Sequence, residues 1–121
     1  MPDWKDQNLN AHVSIAGLAR GCEQQTLIQS VREAAQAATD FSWLSKGDSV
    51  LIKPALNSGN PYPATTSPEG IKAMVALLKE KGANRVLVSD MSGIEFVKLT
   101  PQRLKGSSRK LMHASGMAQA A

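Results

Sequence analysis

The amino-acid sequence predicts an α/β fold: a three-layer sandwich with a small, mainly parallel three-stranded sheet and flanking helices. Two short apolar runs, at 49–53 and 85–89, are continuous rather than alternating, which is typical of strands that helices cover on both faces. A strongly amphipathic helical pattern lies between the two runs, as a crossover between parallel strands requires. Because three strands leave two open sheet edges, we expect this unit to be part of a larger α/β fold.

In chain order, the first predicted elements are a strand and a helix. The strand is the apolar run 13–16, the weakest of the three runs. The helix covers 24–39, and its apolar side chains recur on one face at Leu27, Val31, Ala34, Ala35 and Ala38.

A length of 121 residues suits one domain. We expect a polar N-terminal tail over 1–12 and a single α/β domain over 13–121.

The helix between the two strong strands has the clearest boundaries. Ser67 suits the N-cap, Pro68 suits the first helical position, and Gly82 is the predicted stop. The apolar face follows the helical period at Ile71, Met74, Val75 and Leu78. These signals predict a helix over 68–81.

The C-terminal part of the chain has weaker patterns. The pair Thr100-Pro101 predicts the cap and first position of a short helical turn that closes at Gly106. A final helix is predicted from Ser107 or Ser108 toward Ala121. Since no strand follows that helix, we expect either an oligomer or a C-terminal portion that is missing relative to a complete fold.

Composition narrows the functional classes. A single cysteine, Cys22, excludes an intramolecular disulfide and a cysteine-based metal site, and His12 and His113 have no metal-binding neighbours in the sequence. The longest apolar run is far shorter than a membrane span, and the N-terminus has no apolar signal region. We therefore expect a cytoplasmic protein without a membrane partner. Only five residues are aromatic, which argues against nucleic-acid binding by base stacking.

Charge is distributed unevenly along the chain. Residues 1–60 carry a net charge of −1, and residues 61–121 carry +5, with no acidic residue after Glu95. The uncompensated basic residues are Lys98, Arg103, Lys105, Arg109 and Lys110. Two interpretations remain open: an anion-binding segment, or a solvated face whose acidic partners lie elsewhere.

The segment after the first strong strand carries the strongest functional pattern. Lys53 ends the strand, Pro54 stops it, and a long polar loop leads to three hydroxyls at the start of the 68–81 helix. Asp90 follows the other strong strand, and ligands of parallel sheets bind outside the carboxyl ends of strands. The predicted ligand-binding residues are Lys53, Asn57, Thr65, Thr66, Ser67, Asp90 and Ser92, with Arg103 and Arg109 as secondary candidates.

A structural interpretation of the same residues competes with the functional one. Thr66 and Ser67 can serve as plain caps, and Lys53 and Asp90 can form a structural ion pair. No phosphate-binding loop, dinucleotide fingerprint, nucleophile elbow or zinc-binding histidine pair occurs in the sequence. Whether the chain is an enzyme therefore stays open, and no catalytic residue is assigned.

Four blocks resemble one known family. They are KGDSVLIKP at 46–54, TTSPE at 65–69, LLKEKGA at 77–83 and VLVSDMSG at 86–93. Their order and spacing are similar to domain of unknown function family 362, over roughly residues 40–95. Many members have Asn after the Lys-Pro pair, where this chain has Ala55, so no role is transferred to that position.

The resemblance implies a short or truncated member of a family whose activity is not established. Many members carry a ferredoxin-like iron–sulfur segment, which one cysteine cannot hold, so we expect no cofactor in this chain. Two functions follow as hypotheses. The first is binding of an anionic small molecule, phosphate or carboxylate, at the carboxyl edge of the sheet. The alternative is an interaction or scaffold fragment of an iron–sulfur redox protein whose cluster-binding part is absent here.

Overall fold

A computed structural model describes residues 13–121; the tail predicted at 1–12 lies outside the described residues. Helices and short strands alternate along this part of the chain. In order they are α1 Gln24–Ala38, β1 Ser49–Ile52, α2 Pro68–Glu80, β2 Arg85–Val88, β3 Val97–Leu99, β4 Leu104–Gly106, α3 Ser108–Ala114 and α4 Met117–Ala120. The predicted α/β class and the predicted crossover from β1 through α2 to β2 are confirmed at this level.

The sheet formed by β1 and β2 is parallel, and within residues 13–121 only one of its faces is covered. Val50 pairs with Val86 and Ile52 pairs with Val88, and these half-buried side chains pack toward the core. On the other face, Leu51 is 63% exposed and Leu87 is 39% exposed. The prediction of strands buried on both faces of a three-layer sandwich is therefore wrong for the described residues. A continuous apolar run fits either arrangement, since its outward side chains are apolar as well.

The predicted third strand is also wrong. Residues 13–16 adopt no strand, and Val13 and Ile15 are 81% and 88% exposed. Within residues 13–121 the parallel sheet has the order β1-β2 and no further strand. A run of two large apolar residues offers too little burial to offset the entropy of ordering a strand.

Helix α2 is the central element, and both of its ends are fixed locally. Ser67 Oγ accepts a hydrogen bond from the Gly70 N–H at 3.3 Å, as an N-cap does. At the other end, Gly82 has φ 108°, its N–H donates to Lys79 O, and the Ala83 N–H donates to Leu78 O. This pair of bonds is a Schellman motif. The helix ends one residue earlier than predicted.

Helix α1 packs against α2 at the edge of the domain. Its predicted apolar face is half buried except for Ala38, which is exposed, and none of its residues is fully buried. The Arg32 guanidinium forms a two-pronged ion pair with the Glu80 carboxylate at the end of α2. α1 is therefore a cover over the core rather than part of it.

Two hydrophobic clusters form the core, and α2 contributes to both. One contains Phe41, Leu44, Leu77, Leu78 and Ala83; the other contains Leu56, Ile71, Leu111 and Met117. Ile52 of β1 packs against both clusters. The core therefore runs continuously beneath the inner face of the sheet.

The C-terminal part differs from its prediction. Instead of a helical turn between Thr100 and Gly106, β3 and β4 form an antiparallel hairpin. Thr100 Oγ1 accepts from the Arg103 N–H at 3.1 Å, and the Thr100 N–H donates to Arg103 O at 3.0 Å. Pro101 thus occupies the second position of a β-turn, where its fixed φ is as suitable as at a helix start.

The predicted final helix is divided into α3 and α4. Gly116 has φ 80°, a left-handed conformation that interrupts the helical hydrogen bonds. Met117 after the break is fully buried in the second cluster, so the bend directs α4 back onto α2. Among the described residues, no helix is both long and apolar enough to cross a bilayer.

Candidate functional site

The carboxyl ends of β1 and β2 bring Lys53 and Asp90 together. Because the two strands are parallel and in register, the residues that follow them lie at the same sheet edge. Lys53 Nζ lies 2.8 Å from Asp90 Oδ1. The Asp90 side chain is only 6% exposed, whereas that of Lys53 is 74% exposed. The pair therefore consists of a buried carboxylate and a solvent-exposed lysine that donates a hydrogen bond to it.

Asp90 also fixes the start of the loop after β1. Its Oδ2 accepts a hydrogen bond from the Leu56 N–H at 2.7 Å. Burial acts to raise the pKa of this carboxyl, but hydrogen bonds from Lys53 and from the Leu56 and Met91 N–H groups, with the Lys53 charge, leave the pKa below its ordinary value. Asp90 is thus an ionised, structurally engaged group.

The hydroxyls of Thr65 and Thr66 are used within the loop itself. Thr66 Oγ1 accepts from the Ala55 N–H at 2.8 Å, and the Thr66 N–H donates back to Ala55 O. Thr65 is 6% exposed, and its hydroxyl donates to Asn60 O at 2.8 Å. Both threonines close the loop that joins β1 to α2. Thr66 bonds to Ala55 instead of capping α2, which the structural interpretation expected of it.

A negative charge from the chain already occupies the N-terminus of α2. The Ser67 hydroxyl donates to Glu69 Oε2 at 3.0 Å while its oxygen caps the Gly70 N–H. A carboxylate in the first turn satisfies the positive end of the helix dipole. An external anion at this end of α2 would therefore meet a like charge.

The two remaining predicted residues, Asn57 and Ser92, have different partners. The Gly93 N–H donates to Asn57 O at 3.1 Å, and a Cβ at Gly93 would lie 2.5 Å from that oxygen. Ser92 is buried, and its hydroxyl lies 2.5 Å from the hydroxyl of Ser108. Ser108 was missed because a serine at a helix start is ordinarily assigned to capping. Asn57 is exposed and contributes its backbone to this contact.

A shallow cavity of about 420 Å³ lies over the loop and the start of α2. Its walls include Ala55, Thr65, Thr66, Ser67 and Gly70, together with the exposed ring of Tyr62. Lys53 and Asp90 do not line it. The predicted cleft is therefore divided into an ion pair at the sheet edge and a separate, mostly apolar depression.

The secondary candidates lie on other elements. Arg103 is exposed in the turn of the β3–β4 hairpin, and Arg109 is exposed in the first turn of α3. Within residues 13–121, no hydrogen bond or ion pair links either arginine to the predicted site residues. In the same range, no three His, Cys, Asp or Glu side chains are placed to hold a metal ion.

The chemistry available at the sheet edge is electrostatic. An ammonium that donates one hydrogen bond to Asp90 retains two N–H donors for a ligand. These donors are suited to the oxygens of a phosphate or carboxylate.

Comparison with known proteins identifies one family. The family model described as "Domain of unknown function (DUF362)" matches residues 50–121, which is more than half of the chain and includes all the predicted site residues. The match begins inside the first block, at Val50, and continues past the fourth block to the last residue. Comparisons with curated proteins and with solved structures each found no match. The chain belongs to the DUF362 family of domains of unknown function.

Proposed function

We propose that this domain binds a small anion, a phosphate or carboxylate compound, at the carboxyl edge of the β1–β2 sheet. The observation that carries the proposal is the Lys53 ammonium. Its side chain is 74% exposed, although one of its donors is held at 2.8 Å by the nearly buried Asp90. A cation that is fixed in position before the ligand arrives loses less side-chain entropy on binding.

The contacts around Lys53 favour this position over the α2 N-terminus. Glu69 supplies a negative charge in the first turn of α2, and Ser67 donates to it. Thr65 and Thr66 have their hydroxyls engaged within the loop. The proposed ligand therefore contacts Lys53 directly, and Asp90, Thr65 and Thr66 hold the loop that follows it.

The substitution Lys53→Met tests the proposal, because it keeps most of the stem and removes the charge. We expect isothermal titration with inorganic phosphate and with acetate to detect binding of at least one of them to the unchanged chain, and binding to weaken by about tenfold or more in the variant. Lys72→Met is the matched control, since Lys72 is an exposed lysine on α2 and its loss changes the net charge equally.

Three results decide the matter. Loss of binding in Lys53→Met, with a melting temperature lowered by no more than about 5 °C as loss of the pair with Asp90 predicts, and unchanged binding in Lys72→Met supports the proposal. Equal weakening in both variants reduces the effect to net charge and contradicts it. A much larger fall of the melting temperature in Lys53→Met alone contradicts it as well, because the fold then depends on Lys53 by more than one ion pair.

We also propose a second candidate: an interaction or scaffold piece of an iron–sulfur redox protein, with the cluster held elsewhere. The outer face of the β1–β2 sheet favours it, since Leu51 and Leu87 lie side by side there and are 63% and 39% exposed. A second copy is the partner that is tested directly. We expect light scattering after size exclusion to report a mass above that of one chain, and Leu51→Asp to restore the single-chain mass. A single-chain mass for the unchanged protein at high concentration contradicts self-association through this face.

A further inference from the structure

The β3–β4 hairpin has two chemically distinct faces. In its register Lys98 is opposite Lys105, and Leu99 is opposite Leu104. Side chains of directly paired residues lie on the same face, and the next pair lies on the other. One face therefore carries two ammonium groups, and the other carries two leucines that are 86% and 62% exposed.

Within the hairpin, the lysines have no counter-charge and the leucines stay exposed. Like charges directly opposite each other destabilise a strand pair, and an isolated two-stranded hairpin is marginally stable in water. No acidic residue follows Glu95 in the sequence, so the nearest residues of the chain provide no counter-charge on the C-terminal side. A neighbouring strand with acidic side chains on one face and apolar side chains on the other complements both faces.

The outer edge of β3 has the backbone groups that such a strand needs. The Thr100 N–H donates to Arg103 O, so this pair is hydrogen-bonded, and the next hydrogen-bonded pair along the ladder is Lys98 with Lys105. The N–H and C=O of Leu99, between them, therefore point away from β4. A groove of about 370 Å³ lies along this edge, lined by Ile94, Glu95, Lys98, Leu99 and Thr100.

We propose that the β3 edge binds an extended acidic segment of a partner protein, which adds to the hairpin as a third strand. The segment alternates acidic and apolar side chains, so that its acids lie beside Lys98, on the face that also carries Lys105. Its apolar residues lie beside Leu99, on the face that also carries Leu104. A second copy of this chain is disfavoured, because β3 has no acidic side chain to place beside Lys98 of the other copy. Glu95 also lines the groove. Because like charges repel, the bound segment has no acidic side chain beside Glu95.

Short synthetic peptides test the proposal on the full chain. The probe is a capped peptide in which four Glu alternate with three Val. The first control has the same composition, with the Glu and the Val in separate blocks. By fluorescence anisotropy we expect the alternating peptide to bind about tenfold more tightly than the block peptide. A second control carries N-methyl groups on the residues whose N–H would face β3, and we expect it to lose binding because the added strand is held by main-chain hydrogen bonds.

Protein variants separate the backbone from the side chains. Leu99→Pro removes the outward N–H without touching a bond to β4, whereas Leu99→Ala keeps it. We expect the proline variant to bind the alternating peptide more weakly than the alanine variant does. In the double variant Lys98→Glu with Lys105→Glu, we expect preference to switch to a peptide that alternates Lys and Val.

The outcomes distinguish this partner from other polyanions. Equal affinity for the alternating, block and N-methylated peptides would show binding by charge alone and overturn the proposal. Undetectable binding of the alternating peptide also overturns it. Binding to phosphatidylserine vesicles or to duplex DNA that is lost in the double variant, with no peptide preference, would assign the hairpin to a membrane surface or a nucleic acid instead. None of these readouts depends on Lys53, so the test is independent of the proposed anion site.

Discussion

Asp90 shows how a single residue can be predicted correctly in one contact and missed in another. Its pairing with Lys53 follows from the parallel strands, because residues after two in-register strands must be neighbours. Its bond to the Leu56 N–H is not visible in the sequence, since it depends on how the chain bends after Pro54. Through that second bond, Asp90 links the end of β2 to the loop after β1.

The pH dependence of stability tests this role. The folded-state pKa of Asp90 lies below the ordinary value of 3.8, so its contribution is present above that pH and is lost as the pH falls through the folded value. We expect Asp90→Asn to lower the free energy of unfolding by about 1 kcal/mol at neutral pH, because it removes the charged partner of Lys53. The deficit relative to the unchanged chain should shrink in acid, as measured by urea unfolding across this range.

Glu23→Gln is the control for that measurement. Glu23 is exposed and makes no side-chain capping bond at the start of α1. Its substitution should leave the acid dependence close to that of the unchanged chain. A pH-independent deficit in Asp90→Asn would mean that the lost contribution is packing rather than charge.

At the scale of elements, α2 was predictable and the β3–β4 hairpin was not. The cap at Ser67 and the stop at Gly82 act within a few residues of each helix end, so the sequence contains their full physical cause. The hairpin depends on a close approach between residues that are separated in sequence. A Cβ at Gly106 would lie only 1.7 Å from Phe96 O, so this position requires glycine. The pair Thr100-Pro101 suits a helix start and a β-turn equally, and only the facing strand decides between them.

Gly70 in the first turn of α2 and Gly82 just after its end give opposite predictions for the same substitution. Gly82→Ala forces a Cβ into a left-handed conformation at φ 108°, and we expect it to cost about 1 kcal/mol, although the space beside Lys46 is sufficient. Gly70→Ala lies in the first turn with only ordinary contacts to Ser67, and we expect it to stabilise the chain by up to about 1 kcal/mol. Chemical denaturation measures both. Equal effects of one sign would contradict the Schellman assignment.

For the whole molecule, the sequence predicted the order of elements better than the layers. Local patterns identified α1, β1, α2 and β2, because periodicity and caps are properties of adjacent residues. The number of strands and the covered faces depend on which surfaces meet, and the apolar Leu51 and Leu87 are equally compatible with a buried or an open face. Of the residues predicted for a ligand site, Lys53 and Asp90 meet at the sheet edge, and their binding of a ligand stays a prediction.

The position of Ile52 in both hydrophobic clusters has a consequence for how the chain folds. β1 and β2 are far apart in sequence, and closing that loop before α2 exists would cost entropy with few contacts in return. The capped α2 helix shortens the gap and offers apolar partners to Ile52 on either side. We infer a transition state in which α2 is formed and β1 and β2 are docked on it, while the β3–β4 hairpin closes afterwards. In such an order, weakening α2 slows folding, whereas weakening the hairpin mainly accelerates unfolding.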